Sequence, residues 1–306
     1  MRIVVMGTGG VGGYFGARLA SAGHEVIFVA RGKHLKAIRD NGLFIESPRG
    51  DLHLQDVKVV ETPEQAEAAD IVLLGVKLWD TDAAADLIRP LTESGAGVIS
   101  IQNGVVKDEI LSERLGSSSV IGGVCYIASE IVAPGHIRHS GTMQKLVFGE
   151  YDGSVSPRVT QFRDACVDAG IDIEISPDIR LTIWDKFVFL VGLSGTTGLA
   201  RVPIGPIRTN PRSRAFLHDV MDEVVQVGRA EGVALSEDYA MGRLDFCDQI
   251  PATMTSSMHN DLERGNRLEV RWLSGDVVMR GGRAGIPTPC NRAVFDILSV
   301  HSEGRP

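Results

Sequence analysis

Three groups of residues in this chain have types and spacings that could do chemistry. The first is Gly7-Thr8-Gly9-Gly10-Val11-Gly12, whose Gly7, Gly9 and Gly12 give the G-x-G-x-x-G spacing of a dinucleotide-binding turn. In such a turn Gly7 allows the tight bend, Gly9 lets the backbone approach a pyrophosphate, and Gly12 lets the next helix pack close to the strand. The second is Ala30-Arg31-Gly32-Lys33-His34, where NAD sites usually carry a carboxylate for the ribose 2′-hydroxyl. No carboxylate stands there. Arg31, helped by Lys33, can pair a 2′-phosphate, so NADP(H) is expected; the alternative is a solvated surface charge. The third is Lys186, alone in the apolar run Trp184-Asp185-Lys186-Phe187-Val188-Phe189-Leu190-Val191. Burial disfavours a charged ammonium and lowers its pKa. A lysine so poised can deliver a proton. Equally, its stem can pack while its head reaches water.

The elements that must position these groups follow from the pattern of the chain. An apolar, β-branched run of strand length stops at Gly7. A helix over about Val11 to Ala22 would point its N-terminal N–H groups at the phosphates, and a second strand begins near Glu25. Asp70 to Lys77 reads as a buried parallel strand. Ligands of such sheets bind beyond the carboxyl ends of the strands, which places Lys77 near a cofactor unless it is a capping surface lysine. Gly97 to Gly104 is the next strand and turn. Asn103 can donate and accept at one point there, or Asn103-Gly104 merely makes the turn. Val120 to Ile127 reads as a strand, and Gly135–Gly141 and Lys145–Gly149 as two antiparallel strands bounded by glycines.

After a helix over Pro157 to Ala169 and a strand over Ile171 to Ile175, Ser176-Pro177-Asp178 is a break, and beyond it helical periodicity dominates. Two domains are therefore expected, residues 1–176 and 177–306. Helices are expected from Ile179 to about Leu193, Arg214 to Gly232, Met241 to Cys247, and Cys290 to His301. Another starts near His259, capped from Thr255-Ser256-Ser257. The tail from Ser302 is expected to be loose.

Composition narrows the partners. The 306 residues are 43% hydrophobic and 23% charged, ordinary for a water-soluble globular chain. A net charge of −8 and the lack of a basic stripe argue against general nucleic-acid binding. The four cysteines, at 125, 166, 247 and 290, form no C-x-x-C, so neither a zinc knuckle nor a disulfide framework is implied. His136 and His139 fall on opposite faces of a strand, so no metal site is expected. No apolar run reaches ~18 residues and no leader pattern precedes the first strand. A cytoplasmic protein acting on a small molecule is expected, with no membrane role. The long amphipathic helices of the second half either form a homodimer face or pack internally.

The order and spacing of these pieces resemble the ketopantoate reductase (2-dehydropantoate 2-reductase) family over essentially the full length. The matching residues are Gly7/Gly9/Gly12, Arg31, Val76-Lys77, Gln102-Asn103-Gly104, Trp184-Asp185-Lys186, Ser256-Ser257-Met258, Leu268-Glu269-Val270 and Gly285-Ile286-Pro287. The resemblance implies an α/β Rossmann-type N-terminal domain with a parallel sheet, followed by an all-α C-terminal domain, and NADPH as cofactor. It implies transfer of the pro-S hydride to a 2-oxo acid, giving a D-(R)-2-hydroxy acid. By the resemblance, the glycine turn through Gly12 holds the cofactor with Arg31, and Lys77 and Asn103 sit beside its nicotinamide end and the substrate, with Asn103 also binding the substrate. Lys186 is then the general acid, Glu269 bonds Lys186 or the substrate, and Ser257 binds the substrate carboxylate.

The chain departs from the family where the substrate tail is read. Family members carry asparagines four and eight residues after the lysine, where this chain has Leu190 and Ser194, and often one more after the following proline, where it has Ile204. Fewer hydrogen-bond partners weaken the preference for a hydroxylated substrate. Ketopantoate, the family's route to pantothenate and CoA, stands first. A branched-chain or aryl 2-oxo acid is the alternative, which would make the chain a D-2-hydroxyacid dehydrogenase. An amine- or imine-forming dehydrogenase on the same plan is a further reading. A non-catalytic NADPH sensor would have no need of Lys186 or Glu269.

Overall fold

The run Arg2–Met6 forms the first strand, β1, and every position after Arg2 is buried. The reason lies in its two neighbours in space. Ile3 and Val5 join one apolar cluster and Val4 joins a second with Met6. A strand covered on both faces must be apolar at every position, which is why β1 reads as a continuous run. The computed structural model describes residues 1–305 of the chain.

In chain order the elements of the first part are α1 (Gly10–Ser21), β2 (Glu25–Val29), α2 (Gly32–Asn41), β3 (Leu43–Glu46), β4 (Leu52–Leu54), β5 (Lys58–Val60) and β6 (Ile71–Leu74). Then come α3 (Thr81–Glu93), β7 (Gly97–Ser100), α4 (Val106–Leu115), β8 (Val120–Ala133), β9 (His136–Gly149), α5 (Pro157–Asp168) and β10 (Asp172–Ile175). The sheet order is β4-β3-β9-β8-β7-β6-β1-β2-β5, with β10 also on β9. From β5 to β8 all neighbours are parallel. The order reverses between β1 and β6, so the crevice beyond their carboxyl ends is where such a sheet takes a ligand.

The parallel pattern ends at β8, which pairs antiparallel with β9. The two glycine-bounded strands expected over 135–149 are one strand of 14 residues. Gly141 lies between the paired positions Ser140 and Gln144, where the register shifts, and its φ of +73° fits a bulge rather than a chain end. His136 and His139 do face opposite ways, half-buried and buried.

The second part holds α6 (Ile179–Ala200), α7 (Ile204–Thr209), α8 (Pro211–Ala230), α9 (Tyr239–Gln249), α10 (Ser257–Arg264), α11 (Ser274–Ala284) and α12 (Pro289–Leu298). The chain divides into two compact units, Met1–Asn103 with Lys107–Thr182, and Gly104–Val106 with the chain from Ile183 onward. This division falls within the first turns of α6, a few residues beyond the Ser176-Pro177-Asp178 break. Helix α6 carries Gly192 and runs past Leu193 through Gly195 and Gly198. A Cβ at these three would press on Met221, Val294 and Leu298, so the glycines admit neighbouring helices rather than stop this one. The tail is not loose: Leu268 N–H donates to Ser302 O (3.0 Å), and Arg305 N–H to Gly265 O (3.1 Å).

Candidate active site

The glycine turn is built as its spacing requires. Gly7 has φ +100°, and a Cβ there would lie 2.7 Å from Val76 N at the end of β6. A Cβ at Gly12 would collide with the Gly7 carbonyl oxygen, so β1 and α1 pack at the closest approach a backbone allows. Gly10 is pressed from the other side, where a Cβ would lie 2.5 Å from Ser129 O in β8. Gly9 differs: nothing is nearer to its Cβ position than Gly75 O at 4.0 Å. Open space thus lies before the backbone at Gly9, at the positive end of α1, which has no side-chain cap and no acidic residue in its first turn. That arrangement suits the pyrophosphate of a dinucleotide. Thr8 is buried, and both its N–H and its hydroxyl donate to Val29 O (3.0 and 2.9 Å). Both donors of Thr8 therefore tie the turn to β2, and neither is left to face a ligand.

Arg31 is the N-cap residue of α2, directly after β2. Its side chain is 71% exposed, and its guanidinium lies 3.4 Å from Asp80, just before α3. Lys33 is exposed beside it. His34 sits one turn on, where its ring accepts from Gly135 N–H (3.0 Å). Burial pushes its pKa below the ordinary histidine value, so it adds no cation to this group.

Lys77 is exposed beyond β6, with its ammonium 5.7 Å from the Trp79 ring centre. Asn103 is half-buried beyond β7. The loop that carries Asn103 is braced twice. Gln102 donates to Val76 O (2.9 Å) and to the Thr81 hydroxyl (2.8 Å), and accepts from the Ser100 hydroxyl (2.9 Å). Lys107, 1% exposed, donates to Ser100 O (3.1 Å), Gly123 O (3.0 Å) and the Asp108 carboxylate (2.9 Å). Tyr151, 48% exposed as a whole, completes the cluster by donating to Asp108 (2.7 Å), and desolvation of its hydroxyl together with that carboxylate holds its phenol above the usual range. Sequence reasoning missed Lys107 and Tyr151. A Lys-Asp pair at a helix start reads as solvated, and nothing local reveals the strand carbonyls.

The second unit presents the remaining residues. Lys186 is half-buried on α6, and its two predecessors are anchored. The Trp184 ring packs on Gly228 of α8, where a Cβ would lie 2.8 Å from it, and 6.0 Å from the Arg280 guanidinium. Asp185 accepts from the Tyr239 hydroxyl (2.7 Å) and pairs with Arg243 (2.9 Å), both on α9. These contacts fix the rotation of α6 about its axis and so the direction in which Lys186 leaves it. Leu190 and Ser194 follow at helical spacing on the same face. Leu190 is half-buried, while Ser194 is 1% exposed with its hydroxyl unpartnered.

Ile204 is fully buried at the start of α7, so an asparagine there would bury its amide. Glu269 is 7% exposed, just before a short turn of helix over Val270–Trp272. Ser256 caps α10 by accepting from His259 N–H (3.0 Å), which leaves Ser257 exposed in the first turn. Among the described residues no group of His, Cys, Asp or Glu is placed to hold a metal ion, and no helix is long and apolar enough to cross a membrane.

Residues 3–153 match the family described as ketopantoate reductase PanE/ApbA, and residues 178–302 match its C-terminal region. The 2-dehydropantoate 2-reductase of Archaeoglobus fulgidus is 35% identical over 298 residues, covering 97% of this chain and 96% of that one. The crystal structure of a PanE/ApbA family ketopantoate reductase from Ralstonia eutropha JMP134 superposes with a TM-score of 0.89 at 34% identity, covering 99% and 98% of the two chains. D-mandelate dehydrogenase, in a ternary structure with NADH and anilino(oxo)acetate, reaches a TM-score of 0.90 over 99% and 98% at 18% identity, a likeness of fold alone. The paired matches over both regions, together with the glycine turn and the Arg31 end of β2, mean that the chain belongs to the ketopantoate reductase family of NADP-dependent oxidoreductases acting on a CH–OH group.

Proposed function

We propose that the chain reduces a 2-oxo acid to the (R)-2-hydroxy acid. The observation that carries this reading is Lys186, a half-buried lysine on a helix whose rotation is fixed by Trp184 and Asp185. NADPH, when bound, supplies the hydride to the ketone carbon. The backbone from Gly9 to Gly12 holds its pyrophosphate, Arg31 and Lys33 its 2′-phosphate, and Lys77 and Asn103 its nicotinamide end. Lys186 holds a proton on Nζ and passes it to the carbonyl oxygen as negative charge develops there, while its cationic form stabilises that charge. Glu269 offers a buried carboxylate to the Lys186 ammonium or a substrate hydroxyl. Ser257, in the first turn of α10, offers its hydroxyl at the positive end of a helix to the substrate carboxylate.

The test is loss of nicotinamide absorbance with ketopantoate, 2-oxoisovalerate and phenylglyoxylate side by side. Oxidation with any of the three supports the reading. Binding of NADPH with no oxidation of any overturns it. Preference for ketopantoate would place the reaction in pantothenate synthesis.

Leu190 favours a second reading, a more apolar 2-oxo acid, because it puts a side chain without hydrogen-bonding groups one turn from Lys186. Leu190→Asn is then expected to raise kcat/KM for ketopantoate relative to 2-oxoisovalerate by about ten-fold, the worth of one modest hydrogen bond. An unchanged ratio removes Leu190 from the pocket. Arg31→Ala is expected to raise the Kd of NADPH by about ten-fold or more while leaving that of NADH within about two-fold, as loss of a charge-assisted contact to phosphate requires. Equal loss for both cofactors shows that Arg31 does not read the 2′-phosphate.

A further inference from the structure

We infer that Asp80 is a second determinant of cofactor choice, acting against Arg31 at the ribose 2′ position; the inference rests on the proposed NADPH role of Arg31. The carboxylate that NAD-binding sites place at the end of the second strand is missing from β2, but the fold returns one from a different element. Asp80 comes from the turn between β6 and α3, and its carboxylate lies 3.4 Å from the Arg31 guanidinium. Any group that Arg31 can grip is therefore within reach of Asp80.

Two further observations separate this from an incidental surface pair. Asp80 stands at the N-cap position of α3, where a carboxylate ordinarily accepts a backbone N–H, yet it makes no such bond. Among the described residues its one ion-pair partner is Arg31, and Arg31 has no other. Its neighbour Asp82, by contrast, is paired with Arg114. The side chain of Asp80 thus serves the end of β2 and not its own helix.

The consequence follows from charge. A 2′-phosphate carries between about one and a half and two negative charges near neutral pH. When it reaches Arg31 it must displace Asp80 from the guanidinium, or bind with that carboxylate close by. A ribose 2′-hydroxyl meets no such opposition, because it can donate to Asp80. Asp80 therefore narrows the preference for NADPH over NADH that Arg31 and Lys33 create. This couples two segments far apart in sequence into one selectivity device.

Asp80→Asn keeps the shape and removes the charge. The test is titration of wild type, Asp80→Asn and Arg31→Ala with NADPH and with NADH, followed by fluorescence of the bound nicotinamide, at low salt and near 1 M salt. At low salt Asp80→Asn is expected to lower the Kd of NADPH by about three- to ten-fold relative to that of NADH, as one removed charge at several ångströms in a solvated site allows. Near 1 M salt, where screening acts over about 3 Å, the gain is expected to collapse. A ratio that is unchanged or moves toward NADH overturns the inference, as does a gain insensitive to salt. Equal effects of Arg31→Ala on both cofactors mean that the reading of Arg31 has failed. A selective Arg31→Ala with a silent Asp80→Asn defeats the Asp80 inference alone. Unchanged thermal unfolding of Asp80→Asn confirms that the readout is binding.

Discussion

Lys186→Ala is expected to lower kcat by about 10²- to 10⁴-fold, the usual worth of a positioned general acid, and to leave the Kd of NADPH unchanged. Trp184 and Asp185 are tied to α8, α9 and Arg280, so α6 cannot turn to offer another group in place of Lys186. Leu190, one turn on, has no proton to give. Lys186→Arg is not expected to rescue turnover, because a guanidinium stays charged and does not release a proton near neutral pH. Steady-state turnover together with cofactor titration decides the matter. Turnover within a few fold of wild type removes Lys186 from the chemistry. Loss of NADPH binding in step with turnover would show that the substitution damages the fold instead.

Lys107→Met is expected to destabilise the protein by about 3–5 kcal/mol, the cost of removing one partner of a buried ion pair. The substitution leaves the Asp108 carboxylate, 4% exposed, with the Tyr151 hydroxyl as its remaining named partner. It also leaves the Ser100 and Gly123 carbonyls without the donor they now share. The thermal unfolding midpoint should fall by about 5–8 °C for a chain of this size. Adding Asp108→Asn should recover part of the loss, because the uncompensated charge goes with it. A shift of only a degree or two would show that Lys107 reaches water on unfolding its first turn and is not the brace described above.

Much of the fold was legible because its signals are local. The β1 run, the glycine turn, α1 and β2 lie within the first 29 residues, and each boundary is marked by a glycine or a change of period. The end of β2 was legible for the same reason, since Arg31 and Gly32 mark where the strand gives way to α2. What was hidden depends on residues distant in sequence. Gly141 looks like a strand end until β8 is laid beside it and the bulge appears. Helix α6 is expected to end near Leu193, and its continuation past Gly195 and Gly198 becomes visible only when Val294 and Leu298 of α12 are seen packed on those glycines. The tail looks loose until Gly265 and Leu268 are found to hold it. At the site, the helix that carries Lys186 was visible, but its anchors Tyr239, Arg243 and Arg280 were not, because ion pairs across helices leave no periodicity. Thr8 was read as a cofactor contact from its place in the turn, and only the structure shows its hydroxyl engaged by Val29.

The sheet order also governs when the first unit can come into being on the ribosome. β1 emerges first yet lies in the middle, and its second edge waits for Ile71 to Leu74. β3 waits far longer, since Phe44 pairs with His136, and β9 is closed at its far end only when Asp172 to Ile175 arrive. More than half the chain must therefore be synthesised before the strand edges are covered. Until then the nascent segment exposes apolar β-edges of the kind that chaperones shield and that otherwise aggregate. Shortened forms ending before β10 should accordingly be recovered as insoluble material.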